Sequence, residues 1–379
     1  MLRQTDTVSR RDVLKATAGS FAALSTTGLA AAKPDDTVEV NVGFNSERGR
    51  SAALDAAEEV LREFEFDAVT IRGRKEAVTG LESNPTIRYV EENGTMHALA
   101  ETLPWGIDRV DAEVAHANGE TGDGADVAII DTGIDATHPD LEPNLGEGRA
   151  FTGGVESSNW QDDNGHGTHC AGIADAVDND RGVVGVSTEA TLHAVKVLTA
   201  SGSGTTSDVA AGIEYVGDQG WDVGSLSLGG GGSTETLKDA VQYAHEQGVL
   251  LVAAAGNDGP CEDCVGYPAA YPEVVAVSST DENDDLSDFS STGPEVELAA
   301  PGSNVYSTYV GGYATLSGTS MACPHVSGAG GQLMANGHSN ENARKRLKST
   351  AEDVGLASNE QGAGLLDVAA ALGLDSTDN

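Results

Sequence analysis

At 379 residues with 39% hydrophobic content, the chain can bury one large core and a small one; aromatics are only 4% while glycines number 48, which points to close backbone packing. Its 60 acidic residues outnumber 21 basic ones, giving a formal charge of −39 that argues against nucleic acid and anionic membranes as partners. The acids are scattered among apolar periodic segments, which opposes a disordered acidic chain and points to a protein built for concentrated salt, where the Debye length is roughly 3 Å at 1 M.

The first 32 residues read as a targeting segment. Ser9-Arg10-Arg11-Asp12-Val13-Leu14-Lys15 resembles a twin-arginine export signal, followed by a moderately apolar run, Ala16 to Leu29, and Ala30-Ala31-Ala32 as a cleavage site. Gly, Ser and Thr in that run make it a poor transmembrane helix. It holds no cysteine to carry a lipid anchor. The expectation is a soluble secreted protein, exported after folding and without a membrane anchor.

Residues 33–99 hold strand-like runs at Val38–Phe44, Ala68–Ile71 and Ile87–Val90 around a charged helix-like stretch, Ser51–Phe64. They predict a small α+β unit that ends in the polar linker Glu91–His97. From about residue 104, apolar strands alternate with helices. The strands expected are Ala125–Ile130, Leu192–Leu198, Val223–Leu228, Val249–Ala255 and Val274–Ser278. The helices expected are His166–Val177, Ser207–Gln219, Glu235–Gln247, Met321–Asn336 and Asn340–Thr350. This alternation predicts an α/β domain over 100–379, a mostly parallel sheet with helices on both faces and its site beyond the C-terminal strand ends.

Three polar elements stand at such positions. A buried strand, Ala125 to Ile130, runs into Asp131-Thr132-Gly133, so Asp131 needs a donor such as a histidine N–H. In Asn164-Gly165-His166-Gly167-Thr168-His169-Cys170, Asp163 or Asn164 can cap a helix starting near His166. Its glycines, costly in a helix by about 1 kcal/mol each, imply close backbone packing. A metal reading of His166 and His169 lacks a third ligand at suitable spacing, and His169 reads as a packed histidine. In Ser317-Gly318-Thr319-Ser320-Met321-Ala322-Cys323-Pro324-His325, Pro324 is acceptable only near a helix start, which puts Ser320 at the N-terminus beside an unpaired N–H. A nucleophile there suits acyl transfer.

Of the four cysteines, Cys261 and Cys264 fit a short disulfide better than half a zinc site, because no second Cys/His pair has matching spacing. Cys170 and Cys323 read as small buried thiols, and a bond between them stays open.

Asp131-Thr132-Gly133, His166-Gly167-Thr168-His169 and Gly318-Thr319-Ser320-Met321-Ala322 together resemble the signature blocks of the subtilisin-like serine proteases, in that family's order and over about residues 104–372. The acidic charge and the export signal resemble the halolysin branch. The resemblance implies a serine endopeptidase, a monomer acting on protein and peptide substrates. Ser320 would be the nucleophile, His166 the base, Asp131 its orienting carboxylate and Asn257 a side-chain donor to the oxyanion. Ser227, Leu228 and Gly229 would pair with an extended substrate, with Ser225 standing where Asn is usual. Gly266 would floor a P1 pocket open to large apolar side chains, and Asp258 at the rim would tolerate basic ones. Glu101, Asp140 and Asn179 match positions that ligate a structural calcium ion, Glu101 replacing the usual Gln. Residues 33–99 resemble the inhibitory propeptide, the chain's own intramolecular inhibitor, with cleavage expected between Leu99 and Ala100. A non-enzymatic acidic protein that binds calcium or peptides in the same cleft is the competing class. It would need neither the intact triad nor a cleavable junction.

Overall fold

Alternation between the two faces of each strand organises the fold. The computed structural model describes residues 37–93, 101–230 and 232–375. The expected signal segment, 1–32, and the junction Leu99–Ala100 lie outside the described residues. The chain divides into two compact units, Met1–His97 and Ala98–Asn379. No described helix is long and apolar enough to cross a membrane.

The first unit contains β1 (Thr37–Phe44), α1 (Glu47–Ala56), β2 (Glu59–Phe64), β3 (Ala68–Arg74), α2 (Lys75–Glu82) and β4 (Ile87–Glu92). Its strands form one antiparallel sheet in the order β2-β3-β1-β4. Val40, Val42 and Phe44 alternate along β1 and pack with Val69, Ile71, Val78 and Leu81. The helix expected over Ser51–Phe64 is corrected here. The helix ends at Ala56, and 59–64 is an exposed edge strand. Its charges are those of an edge strand, with Glu59 paired to Arg72 and Glu63 to Arg50. Helix α2 was not anticipated; its buried residues are Val78 and Leu81, one turn apart.

The second unit opens with β5 (Glu101–Thr102), α3 (Trp105–Arg109) and α4 (Ala112–Ala117). Its main sheet uses β6 (Asp126–Asp131), β7 (Arg149–Thr152), β8 (Val155–Ser157), β10 (Thr191–Lys196), β11 (Val223–Leu226), β12 (Leu250–Ala254), β13 (Val274–Thr280) and β14 (Val296–Pro301). The order is β14-β13-β12-β11-β6-β10-β7-β8, parallel throughout except for β7 and β8. The short β9 (Gly182–Val183) pairs with β5, and β15 (Val305–Tyr309) forms a hairpin with β16 (Gly312–Leu316).

Within β6, Val127 and Ile129 face one core while Ala128 and Ile130 face the other. The first core takes residues of α5 (His166–Asp175), α8 (Thr319–Ala335) and α9 (Asn340–Thr350). The second takes α6 (Thr206–Gln219) and α7 (Glu235–Glu246). The sheet is therefore covered on both faces, as the alternation of strands and helices predicts. Two short helices, α10 (Ser358–Gln361) and α11 (Val368–Leu372), close the described chain.

Candidate active site

Asp131 ends the central strand β6 and is fully buried. Its Oδ1 accepts from the Thr132 amide at 2.7 Å, and His166 Nδ1 lies 2.8 Å from Oδ1 and 3.0 Å from Oδ2. His166 is the first residue of α5. The helix start is held by Asp162, one residue before the pair expected to cap it. Asp162 Oδ1 accepts from the Asn164 and Gly165 amides at 2.9 Å each, and Oδ2 from the Thr168 amide at 3.0 Å. Asn164 Oδ1 takes the His166 amide at 3.1 Å. The bare helix has the packing reason its glycines imply. A methyl group on Gly167 would sit 2.2 Å from the Gly133 carbonyl oxygen.

The Asp131 carboxylate raises His166 above the ordinary histidine range; burial opposes this and Asp162 adds to it. Three residues further on, His169 is fully buried with Nε2 at 3.1 Å from the Ala314 carbonyl oxygen, and burial pushes it down to about 4. It is a packed histidine. The ligand-capable atoms of Asp131, His166 and Cys170 lie within 4.8 Å of one another. Burial pushes the Cys170 thiol well up, and its S–H is directed at the Ser320 carbonyl at 3.4 Å, so this trio is poorly suited to a cation.

Ser320 is the second residue of α8. Pro324 lies inside that helix rather than at its first turn, a correction to the expected start. Proline has no N–H for the Ser320 carbonyl four residues back. Ser227 Oγ donates to that carbonyl instead, at 2.8 Å, beside Cys170 Sγ. In return Ser320 Oγ donates to the Ser227 carbonyl at 3.2 Å. Asn257 follows the end of β12, and its Oδ1 accepts from the Thr319 amide at 2.9 Å. A methyl group on Gly318 would lie 3.5 Å from Asn257 Nδ2 and 3.6 Å from the Ser320 amide nitrogen, so these two donors border one point.

His166 and Ser320 line one open cleft of about 560 Å³, with Asn164, Ser227, Leu228, Gly229 and Tyr267. Gly230 and Tyr267 exchange backbone bonds at 2.9 and 3.0 Å along its wall. Gly266 lies just behind; a methyl group there would meet the Gly230 carbonyl at 3.5 Å. Ser225 is turned away from the cleft into the core, where its hydroxyl accepts from Ser327 Oγ at 2.8 Å. Asp258 is exposed, with its amide on Ser291 Oγ. Cys261 and Cys264 form a disulfide with Cα atoms 6.2 Å apart, and Cys170 and Cys323 are free and buried.

Away from the cleft, Glu101 Oε1 accepts from the Asn179 amide at 2.9 Å, and Asn179 Nδ2 reaches Asp140 Oδ1 at 3.4 Å. Asp140 Oδ2 takes the Val183 amide at 3.0 Å and the Tyr313 hydroxyl at 2.9 Å. Burial, with help from Asp178 and Asp180, pushes Glu101 up to about 7.

Two site residues were missed by sequence reasoning. Asp162 lies three residues before Gly165, the N-cap of the helix. Lys196 is buried beside Asp131 in the β6–β10 register and bonds Asp163 Oδ1 at 2.7 Å. A lone lysine inside the apolar run Leu192–Leu198 was the available signal.

A carboxylate-held histidine and a helix-start serine facing one cleft, at the C-terminal ends of a parallel sheet, define a serine hydrolase. The chain belongs to the subtilase family, which its residues 122–364 match, and is a subtilisin-type serine endopeptidase. It is 41% identical to "Alkaline protease" of Alkalihalobacillus alcalophilus over 95% of this chain and 98% of the relative. It is 48% identical to "Subtilisin Savinase" of Lederbergia lenta over 72% of this chain and 99% of the relative. Identity to "Subtilisin amylosacchariticus" of Bacillus subtilis subsp. amylosacchariticus is 39% over 90% of this chain and 92% of the relative.

Proposed function

We propose that this endopeptidase works through Asp131, His166 and Ser320, is made as a secreted proenzyme, and is adapted to high salt. The observation that carries the catalytic reading is the bond from His166 Nδ1 to Asp131 at 2.8 Å, with Ser320 on the same cleft. Asp131 fixes the tautomer, so Nδ1 carries the proton and Nε2 is free to accept one. Ser320 gives up its 3.2 Å bond to the Ser227 carbonyl as its hydroxyl turns to His166 and attacks the scissile carbonyl. Asn257 Nδ2 and the Ser320 amide receive the oxyanion. His166 then returns the proton to the leaving amine, and water hydrolyses the acyl-enzyme. The segment Ser227-Leu228-Gly229 pairs with an extended peptide, and Gly266 leaves room for a large apolar P1 side chain.

Residues 1–32 direct export by the twin-arginine route, and 33–99 act as the propeptide, released by cleavage after Leu99. Support comes from the boundary between units at 97/98 and from a relative that spans 99% of its own length while occupying 72% of this chain. The mature enzyme is a monomer. The donor set around Asp140 fits a calcium ion. Glu101, Asp140 and Asn179 come together from three separate segments, the two carboxylates offer oxygens, and Asp178 and Asp180 add negative charge beside them; Asn179 turns its Nδ2 to Asp140, so its side-chain amide would have to rotate to offer its oxygen. Bound calcium supplies charge neutralisation and ties these segments together. Salt adaptation rests on the charge of −39 together with where it lies. Among the described residues only seven carboxylates are buried, so the other described carboxylates reach the surface at least in part. Melting temperature should rise from dilute buffer to multimolar salt, and an equal or falling value contradicts that part.

The test of the whole reading is Ser320→Ala. The variant should accumulate as uncut precursor and lose peptide hydrolysis; normal maturation of the variant rejects the mechanism.

A further inference from the structure

The histidine-bearing helix and the residue pair before it are gripped from one side by three consecutive hydroxyls of β15. Ser307 Oγ donates to the His169 carbonyl at 2.9 Å, Thr308 Oγ1 to the Thr168 carbonyl at 2.7 Å, and the Tyr309 hydroxyl to the Asn164 carbonyl at 3.0 Å. The last of these differs from the others. The Asn164 carbonyl belongs to the peptide that joins Asn164 to Gly165, immediately before His166. Gly165 has φ +109°, a region where glycine is freely mobile and other residues are strained. The N–H end of that peptide, the Gly165 amide, is held by Asp162 Oδ1 at 2.9 Å, and its carbonyl end is held by Tyr309; with only the N–H end tied, the peptide has freedom to tilt and carry the His166 backbone with it.

Tyr309 supplies the hold in two ways. Its hydroxyl fixes the direction of the carbonyl. Its ring fills the space over Gly165, where an added methyl group would fall 2.3–2.8 Å from three ring atoms. Asn164 passes the constraint on, because its Oδ1 holds the His166 amide at 3.1 Å and its Nδ2 is tied to the Ala200 carbonyl at 2.9 Å.

We propose that Tyr309 is a positioning residue for the reaction, locking the Asn164–Gly165 peptide and through it the ring of His166 against Asp131. This inference rests on the reading of His166 as the base. The charged and titratable groups that face His166 are Asp131 from the end of β6, Asp162 from the preceding loop, and His169 and the Cys170 thiol on its own helix, the thiol pushed well up by burial and so neutral. Asp131 is the largest influence and raises the histidine. A ring that wanders from Asp131 therefore titrates lower, towards the ordinary histidine value of about 6.5.

The experiment compares the mature wild type with Tyr309→Phe, Tyr309→Leu and Ser307→Ala, using a peptide p-nitroanilide with Leu at P1 across a pH series. Tyr309→Phe keeps the ring and loses the bond. It should lower kcat about 3- to 10-fold with KM within about twofold, and move the acid limb of kcat/KM to lower pH. Tyr309→Leu should do both more strongly, towards about 100-fold in kcat. Ser307→Ala, which releases only the His169 carbonyl, should lower the melting temperature and leave the acid limb in place. The proposal is overturned if Tyr309→Phe keeps the wild-type kcat and acid limb, or if Ser307→Ala moves the limb equally. An NMR titration of the His166 ring protons, run on the mature wild type and on mature Tyr309→Phe, reads the same shift independently of turnover. An inactive wild type with a shifted titration rejects the functional reading and retains only the lock of Tyr309 on the His166 ring. An active wild type with no shift in either measurement rejects this one alone.

Discussion

Ser227 and Ser320 exchange hydrogen bonds, each hydroxyl reaching the other's backbone carbonyl, at 2.8 Å from Ser227 and 3.2 Å from Ser320. The exchange exists because Pro324 cannot donate to the Ser320 carbonyl within the helix. Removing the Ser227 hydroxyl leaves that carbonyl with Cys170 Sγ at 3.4 Å as its remaining partner. Ser227→Ala should therefore cost about 1–3 kcal/mol of stability, together with a loss in kcat. A melting curve that matches the parent contradicts this account of Pro324.

The pH dependence of activity follows from His166. On the proposed reading, His166 must be neutral to take the Ser320 proton, and Asp131 raises its pKa. Activity should therefore fall as pH drops through a value above the ordinary histidine range. Asp131→Asn removes the charge, so the limb should move to lower pH while kcat falls by about 10⁴-fold, the size of loss known for this substitution in serine proteases. A limb that stays in place in a folded variant assigns the ionisation to another group.

Two further histidines govern acid stability. Burial pushes both His169 and His325 down to about 4. Above about 6.5 they are neutral folded and unfolded, and their contribution is fully present. Between about 6.5 and 4 the unfolded chain binds protons that the folded chain refuses, so stability is lost as pH falls. Replacing His325 removes its share. The stability gap between the parent and His325→Gln should close below pH 6.5, by about 1.4 kcal/mol per pH unit. A gap equal at pH 7.5 and 4.5 contradicts the assignment. Asp175 works in the opposite direction, since burial raises it to about 8, and its contribution fades as pH rises.

Calcium should act on thermal inactivation. Chelation should speed inactivation of the wild type, and added calcium should restore it. Asp140→Asn should inactivate fast whether or not chelator is present. It weakens an acceptor that holds both the Val183 amide and the Tyr313 hydroxyl. Equal inactivation rates with and without chelator in the wild type would sink the calcium assignment.

Much of this was legible in the sequence where the signal is local. Helix α9 spans Asn340–Thr350 as its periodicity predicts, with Ser339 as its cap. The end of β6 followed from an apolar run meeting Asp131, whereas the start of α8 was read from Pro324, which lies inside the helix because Ser227 satisfies the carbonyl that the proline leaves open. The edge strand β2 was not legible, because its charges repeat at a spacing that also suits a helix. The hairpin β15–β16 was missed as well. Its short strands carry mixed polar residues, and their role lies in bonds to α5 and the loop just before it, across 138 to 145 residues of chain. For the same reason the open question of a Cys170–Cys323 bond was settled only by the fold, which leaves both thiols free.

The central claim is that Ser320 is the nucleophile activated by His166. Incubation of the mature protein with a fluorophosphonate, followed by peptide mass mapping, tests it most directly. The account predicts one covalent adduct, on Ser320, formed in step with the loss of peptidase activity and greatly slowed in His166→Ala. Complete inactivation with Ser320 unmodified, or labelling that proceeds equally fast in His166→Ala, would contradict it.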